Sequence, residues 1–166
     1  GAGARSTQPA GVACATNAPG TAAPSPAPSA RTVRPASDAA VEFVSGMIHH
    51  HAQAVLMAGW APTHDAGQAV RTLCQRILIS QQDEIHTMQT WLRDRRQAVP
   101  EANANGMKMV MNGVEHTMLM PGMLTAEQMQ QLDKARGTEF DRLFLTFMIQ
   151  HHRGAIEMVK ELFGSY

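Results

Sequence analysis

The chain has 166 residues, with 14 Lys plus Arg against 14 Asp plus Glu and a pI near 7.3. That length holds one domain with a real core rather than two, and the even charge leaves no basic face for nucleic acid or an anionic membrane. No apolar run reaches the roughly 20 residues of a membrane-spanning helix, since the greasiest stretch, Phe43 to Trp60, is interrupted by His49, His50 and His51.

Residues 1–37 are rich in Ala, Pro, Ser, Thr and Gly, with prolines at 9, 19, 24, 26, 28 and 35 and no apolar periodicity. Such a segment cannot bury enough surface to offset its ordering entropy and is expected to be a mobile tether. The domain proper is expected over 38–166. Gly11-Val12-Ala13-Cys14 has the small residues that precede a lipid-modified cysteine but lacks the apolar run before them, which argues against an anchor there. The chain opens on Gly1 with no signal peptide in view, consistent with a targeting segment already removed. Cys74, set in a helical pattern, reads as a small core residue, so no disulfide framework is expected.

A first helix is predicted from Asp38 to Trp60, stopped by Pro62, with Phe43, Met47, His50, Ala54 and Met57 at steps of four and three on its packed seam. A second is predicted from Asp65, acting as its cap, to about Arg96, before Pro100. Its seam runs through Ile77, Gln81, Glu84, Met88 and Trp91. Gln81 and Glu84 there either support the histidines as a second shell or simply face water.

Met107 to Met111, then Asn112-Gly113, then Val114 to Leu119 carries the two-residue signal of a tight hairpin. Pairing across that turn sets Met111 against Val114, Met109 against His116 and Met107 against Met118, with all six on one face. The face is either a greasy flap on the bundle or a thioether-rich metal surface. Thr125-Ala-Glu-Gln128 is a capping-box pattern opening a short helix that Gly137 is expected to end, and the last helix is predicted from Thr138 to Phe163.

The first and last helices repeat one another. Phe43, Met47, Ile48, His50, His51, Ala54 and Met57 return, with a constant offset, as Phe144, Met148, Ile149, His151, His152, Ala155 and Met158. Matching at that many fixed positions marks an internal duplication. In each copy a methionine has histidines three and four residues later, so a thioether and two imidazoles lie within one turn. Two such faces packed together would converge four histidines and several methionines.

A single histidine on an apolar helix face is usually a hydrogen-bonded core residue, but two flanked pairs in a chain with 12 methionines favour a metal. Thioether and imidazole suit Cu(I), with Ag(I) as its surrogate and Cu(II) less well matched, whereas Mg²⁺ and Ca²⁺ require oxygen. Neither ligand is consumed by disulfide formation, so the set works outside the cytosol, which points to a secreted, periplasmic or surface-tethered protein. The candidate ligands are His50, His51, His151 and His152 with Met47, Met148, Met57 and Met158, then the outlying Met107, Met109, Met111, His116, Met118, Met120 and Met123. His49, His64 and His86 are expected at the surface. A di-iron oxidase is disfavoured because no glutamate has a histidine three residues later, so no enzyme activity is expected. The competing reading is a metal-free interaction module whose buried histidines fix helix register.

Three motifs in order resemble the domain-of-unknown-function family 305, which includes CopM-type copper-binding envelope proteins. They are the repeated Phe-x3-Met-Ile-x-His-His-x2-Ala, the run Gln81-x2-Glu84-Ile85-x2-Met88-x2-Trp91-Leu92, and Met120-Pro121-Gly122-Met123. The resemblance spans about residues 38–166. It implies a ferritin-like, all-α antiparallel bundle built from a duplicated helical hairpin with a small Met-rich insertion, export, and in some members copper or silver binding linked to metal tolerance. It places the ligands at His50, His51, His151, His152, Met47 and Met148. Members usually have a further helix after the second His-His helix. This chain stops at Tyr166 without it, so the expectation is either a homodimer that completes the bundle or a trimmed piece of a longer protein with an exposed apolar face. A metal-transfer partner in the envelope is the remaining partner expected.

Overall fold

A computed structural model of the protein describes residues 36–164; the expected tether and Cys14 lie outside them. The element order is α1 (Asp38–Gly59), α2 (Gln68–Asp94), β1 (Met107–Met111), β2 (Val114–Met118), α3 (Ala126–Lys134) and α4 (Gly137–Gly164). The domain is mainly helical rather than strictly all-α, because the hairpin is a true two-stranded antiparallel sheet.

Helix α1 starts where Ser37 caps it, its hydroxyl accepting from the Ala40 N–H at 3.2 Å. Small residues on its packed side, Ala54, Ala58 and the following Ala61, are almost fully buried. They leave room for the bulk on α4, where Phe140, Phe144, Phe147 and Met148 join the same core as Met57, Val70, Cys74, Leu124 and Leu132. Cys74 is 1% exposed, as its core reading requires, and burial followed by the charge of Asp141 pushes its thiol up to about 11.

The start of α2 is not the expected one. Asp65 sits in the left-handed region at φ 52° and turns the chain instead of capping it. The cap comes from elsewhere in the fold: the Gly67 N–H donates to both carboxylate oxygens of Asp141 on α4, each at 3.1 Å. A sequence window cannot see a cap supplied 74 residues away. The end of α3 differs as well. It closes at Lys134, and Gly137, at φ 57°, opens α4 with its N–H donating to the His64 carbonyl at 2.9 Å. The Thr125–Gln128 capping box forms as expected.

The hairpin register is Met107 with Met118, Met109 with His116, and Met111 with Val114, turning at Asn112 (φ 53°) and Gly113 (φ 77°). Both central residues have positive φ, as an Asn-Gly turn of this kind demands. On the opposite face Lys108 and Glu115 form an ion pair at 2.8 Å.

Candidate functional site

The duplicated positions meet in the core. His50 on α1 and His151 on α4, equivalent residues of the two repeats, are 2% and 1% exposed and stack with ring centroids 3.7 Å apart at an interplanar angle of 34°. His50 Nε2–H donates to the Pro121 carbonyl at 3.1 Å. That bond leaves the His50 lone pair on Nδ1. Burial lowers His50 to about 4 and His151 to about 3, the neighbouring imidazoles adding to the effect. At neutral pH both rings are therefore uncharged and carry an available nitrogen lone pair.

The second histidine of each pair has a hydrogen-bond partner of its own, with the His51 ring centroid 6.4 Å from that of His50 and the His152 centroid 6.2 Å from that of His151. His51 reaches sideways to α2, where its Nε2 is 2.7 Å from Glu84 Oε2. His152 is exposed, with Nδ1 donating to the Met148 carbonyl of its own helix at 2.9 Å. The repeats diverge because α1 has α2 alongside it at this level, whereas the matching face of α4 carries the exposed Leu145, Ile149, Ile156, Val159 and Phe163.

Gln81, one turn before Glu84 on α2, is buried. Among the described residues three buried side-chain polar atoms have no hydrogen-bond partner: His51 Nδ1, Gln81 Oε1 and His151 Nε2. All three belong to residues singled out by the sequence, and one comes from each of the three long helices. A buried polar atom left unpaired costs about 1–3 kcal/mol, so three in one neighbourhood are a costly arrangement for a fold whose other buried polar groups are satisfied. Even so, no three His, Cys, Asp or Glu side chains among the described residues are grouped closely enough to hold a metal by themselves.

The methionines divide into three populations. Met47 and Met148, one turn before the histidine pairs, are buried at 6% each, and Met57 is pure core at 0%. Met123 is buried and its sulfur accepts the Met120 N–H at 3.3 Å. Met107, Met109, Met118, Met120 and Met158 instead line an open groove of about 570 Å³. Met111 and His116, on the same hairpin face, are exposed and do not line it.

Three buried polar residues escaped the sequence reading. His49, expected at the surface, is 5% exposed and its Nδ1 accepts the Asn103 N–H at 3.3 Å; burial lowers its pKa. His64 is 4% exposed, with Nε2 2.9 Å from the Asp133 carbonyl and Nδ1 3.0 Å from the Thr63 hydroxyl, and it stacks on Trp60. Gln53 holds two loops at once, accepting from the Leu124 N–H at 2.6 Å and donating to the Ala104 and Leu124 carbonyls at 3.1 Å each. The usable signal was positional: His49 and Gln53 are i, i+4 on a helix already assigned to the core. We expect Gln53→Leu to cost about 2–4 kcal/mol in a urea titration, because it orphans an N–H and two carbonyls; a loss under about 1 kcal/mol would mean that water reaches these groups.

Fold and site together define a mainly helical domain from a duplicated His-His helix, with a neutral histidine layer between its long helices. The chain belongs to the family called Domain of unknown function (DUF305), whose profile matches residues 40–165. Its fold is similar to a candidate secreted DUF305 protein of Streptomyces coelicolor, at 30% identity and a TM-score of 0.60, covering 74% of this chain and 71% of that one. It is similar also to a DUF305 fragment from Deinococcus radiodurans, at 28% identity and a TM-score of 0.61, covering 75% and 76%. An uncharacterized protein, L153, of Acanthamoeba polyphaga mimivirus is 34% identical over 55 residues, which is 33% of this chain and 36% of that protein. No helix among the described residues is long and apolar enough to cross a membrane.

Proposed function

We propose that this protein binds a soft monovalent metal ion, Cu(I) with Ag(I) as its surrogate, in the cell envelope, for sequestration, transfer or tolerance. One observation carries the reading: the unpartnered buried atoms His151 Nε2, His51 Nδ1 and Gln81 Oε1 all fall within the duplicated histidine layer and the helix packed on it. The neutral imidazoles of His50 and His151, next to helix turns carrying Met47 and Met148, offer nitrogen and sulfur donors. Cu(I) accepts that mixture where Mg²⁺ or Ca²⁺ would not. Because imidazole and carboxylate groups alone do not make a site here, the reading requires thioether participation. His51 is oriented by Glu84, the kind of carboxylate support that metal-binding histidines commonly have. In the same proposal the fold is a ferritin-like bundle, Cu(II) is a less well matched ion, and the envelope location accords with the name of the Streptomyces relative.

The test is competition for Cu(I) against a chromogenic chelator, with elemental analysis of protein purified without added metal. His51→Ala and His151→Phe, the latter chosen to fill the stack, are expected to weaken binding by about tenfold to a hundredfold each, with circular dichroism confirming the fold. Wild-type affinity in both folded variants would remove the histidine layer as the site.

A second reading, a metal-free interaction module, is favoured by a different observation. Leu145, Ile149, Ile156, Val159 and Phe163 form an exposed apolar stripe along α4, which a second copy could cover. Sedimentation of the metal-free protein separates the two: a stable dimer indifferent to Cu(I), together with no metal binding, selects the module.

A further inference from the structure

We infer that the open groove between the hairpin, the start of α1 and the end of α4 is a second soft-metal site, built from thioethers and separate from the histidine layer. Five methionines from four parts of the chain converge on it: Met107 from β1, Met109 beside it on the same face, Met118 from β2, Met120 from the following loop and Met158 from α4. The hairpin register puts Met107 directly opposite Met118, with Met109 two residues along the same face, so three sulfurs are presented side by side by the backbone itself. Glu42 and Glu161 also line the groove, and neither has a cation within ion-pair distance among the described residues. Two exposed carboxylates give the opening a negative potential that draws in a cation and offsets its charge.

A purely apolar patch would explain the burial equally well with leucine, which is stiffer and specifies a fold better than methionine. The other hairpin face argues against indifferent filling. It satisfies its own charges through Lys108–Glu115, and Val110, not methionine, is its exposed apolar residue at 72%. Methionine is concentrated where the hairpin meets the groove. Thioethers stay unprotonated at any accessible pH, so the donors of this site need no deprotonation.

The groove also touches the inner layer. Pro121 is part of its wall, and the Pro121 carbonyl is the group to which His50 donates. An ion held among the groove sulfurs therefore lies one backbone segment from the imidazole stack, which makes the groove a landing site from which the layer proposed above would be loaded. The landing role rests on that earlier proposal; the groove site itself does not.

The experiment is Ag(I) titration of the full chain labelled with ¹³C at the methionine ε-methyl groups, read by NMR at pH 7. We expect the Met107, Met109, Met118, Met120 and Met158 methyl signals to shift together with the first equivalents, and also in the His151→Phe variant. The Met107→Leu/Met109→Leu/Met118→Leu variant, altered only on the hairpin, is expected to lose that binding by more than about tenfold, while Met111→Leu, on the same face but outside the groove, retains it. Groove methyl signals that do not move at saturating Ag(I), or a triple variant with unchanged affinity and stoichiometry, would overturn the groove site. Groove shifts that persist while His151→Phe and His51→Ala leave Cu(I) affinity untouched would instead sink only the histidine layer and the loading role.

Discussion

Lowering the pH from 6.5 to 5 is expected to remove about 3 kcal/mol of folding stability from the metal-free protein, the slope rising toward about 1.4 kcal/mol per pH unit for each of two histidines. His50 and His151 are held neutral, with pKa values near 4 and 3 against an ordinary 6.5, chiefly by burial. Well above pH 6.5 both rings are neutral in the folded and unfolded chains, and their contribution does not change. Below 6.5 the unfolded chain takes up protons that the folded one refuses, so the equilibrium moves toward unfolding. The loss continues until the pH approaches the folded values near 4 and 3. His49, also lowered by burial, acts in the same direction. Since a domain has about 5–15 kcal/mol in total, acid unfolding should begin well above the carboxylate range. Urea midpoints across pH 7 to 5 measure this, and His151→Phe should roughly halve the slope. A slope unchanged by that substitution would locate the acid sensitivity elsewhere.

The largest effect of a single substitution is expected at Gly154. The Pro121–Gly122 segment lies directly on α4 at this point, and a Cβ on residue 154 would fall inside contact distance of the Pro121 carbonyl and the Gly122 amide. Gly122 is equally constrained, at φ 77° and with its own Cβ position 2.7 Å from the Gly154 Cα. The obstacles are backbone atoms that cannot rotate aside. Gly154→Ala should therefore cost about 3 kcal/mol or more, although alanine in place of a helical glycine normally stabilises by about 0.5–1 kcal/mol. Gly59→Ala is the control, since nothing lies within 4 Å of its Cβ position, and it should be neutral or slightly stabilising. The Gly154 variant has a functional readout too. Displacing Pro121 breaks the bond that orients His50, so any metal affinity of the layer should fall with it. A stable Gly154→Ala protein with wild-type behaviour would mean that the loop can lift away freely.

Local patterns determined much of this protein before any packing was considered. Ser37 and the Thr125–Gln128 box start helices because short side chains reach nearby N–H groups. Asn112-Gly113 set the hairpin register because few other dipeptides tolerate two positive φ values in succession. The constant spacing between the repeats identified His50 and His151 as partners, and helical periodicity pointed both inward. Tertiary packing decided the rest. The cap of α2 comes from Asp141, distant in sequence, and Asp65 turns the chain instead. Whether the second histidine of each pair meets a carboxylate depends on a neighbour: α2 brings Glu84 to His51, and no carboxylate among the described residues is bonded to His152. His49 and His64 look like surface residues in a linear pattern, yet loops from elsewhere fold over them and supply their hydrogen bonds. Periodicity assigns a residue to a face of its own helix, but only the assembled elements determine what covers that face and whether each buried nitrogen finds a partner.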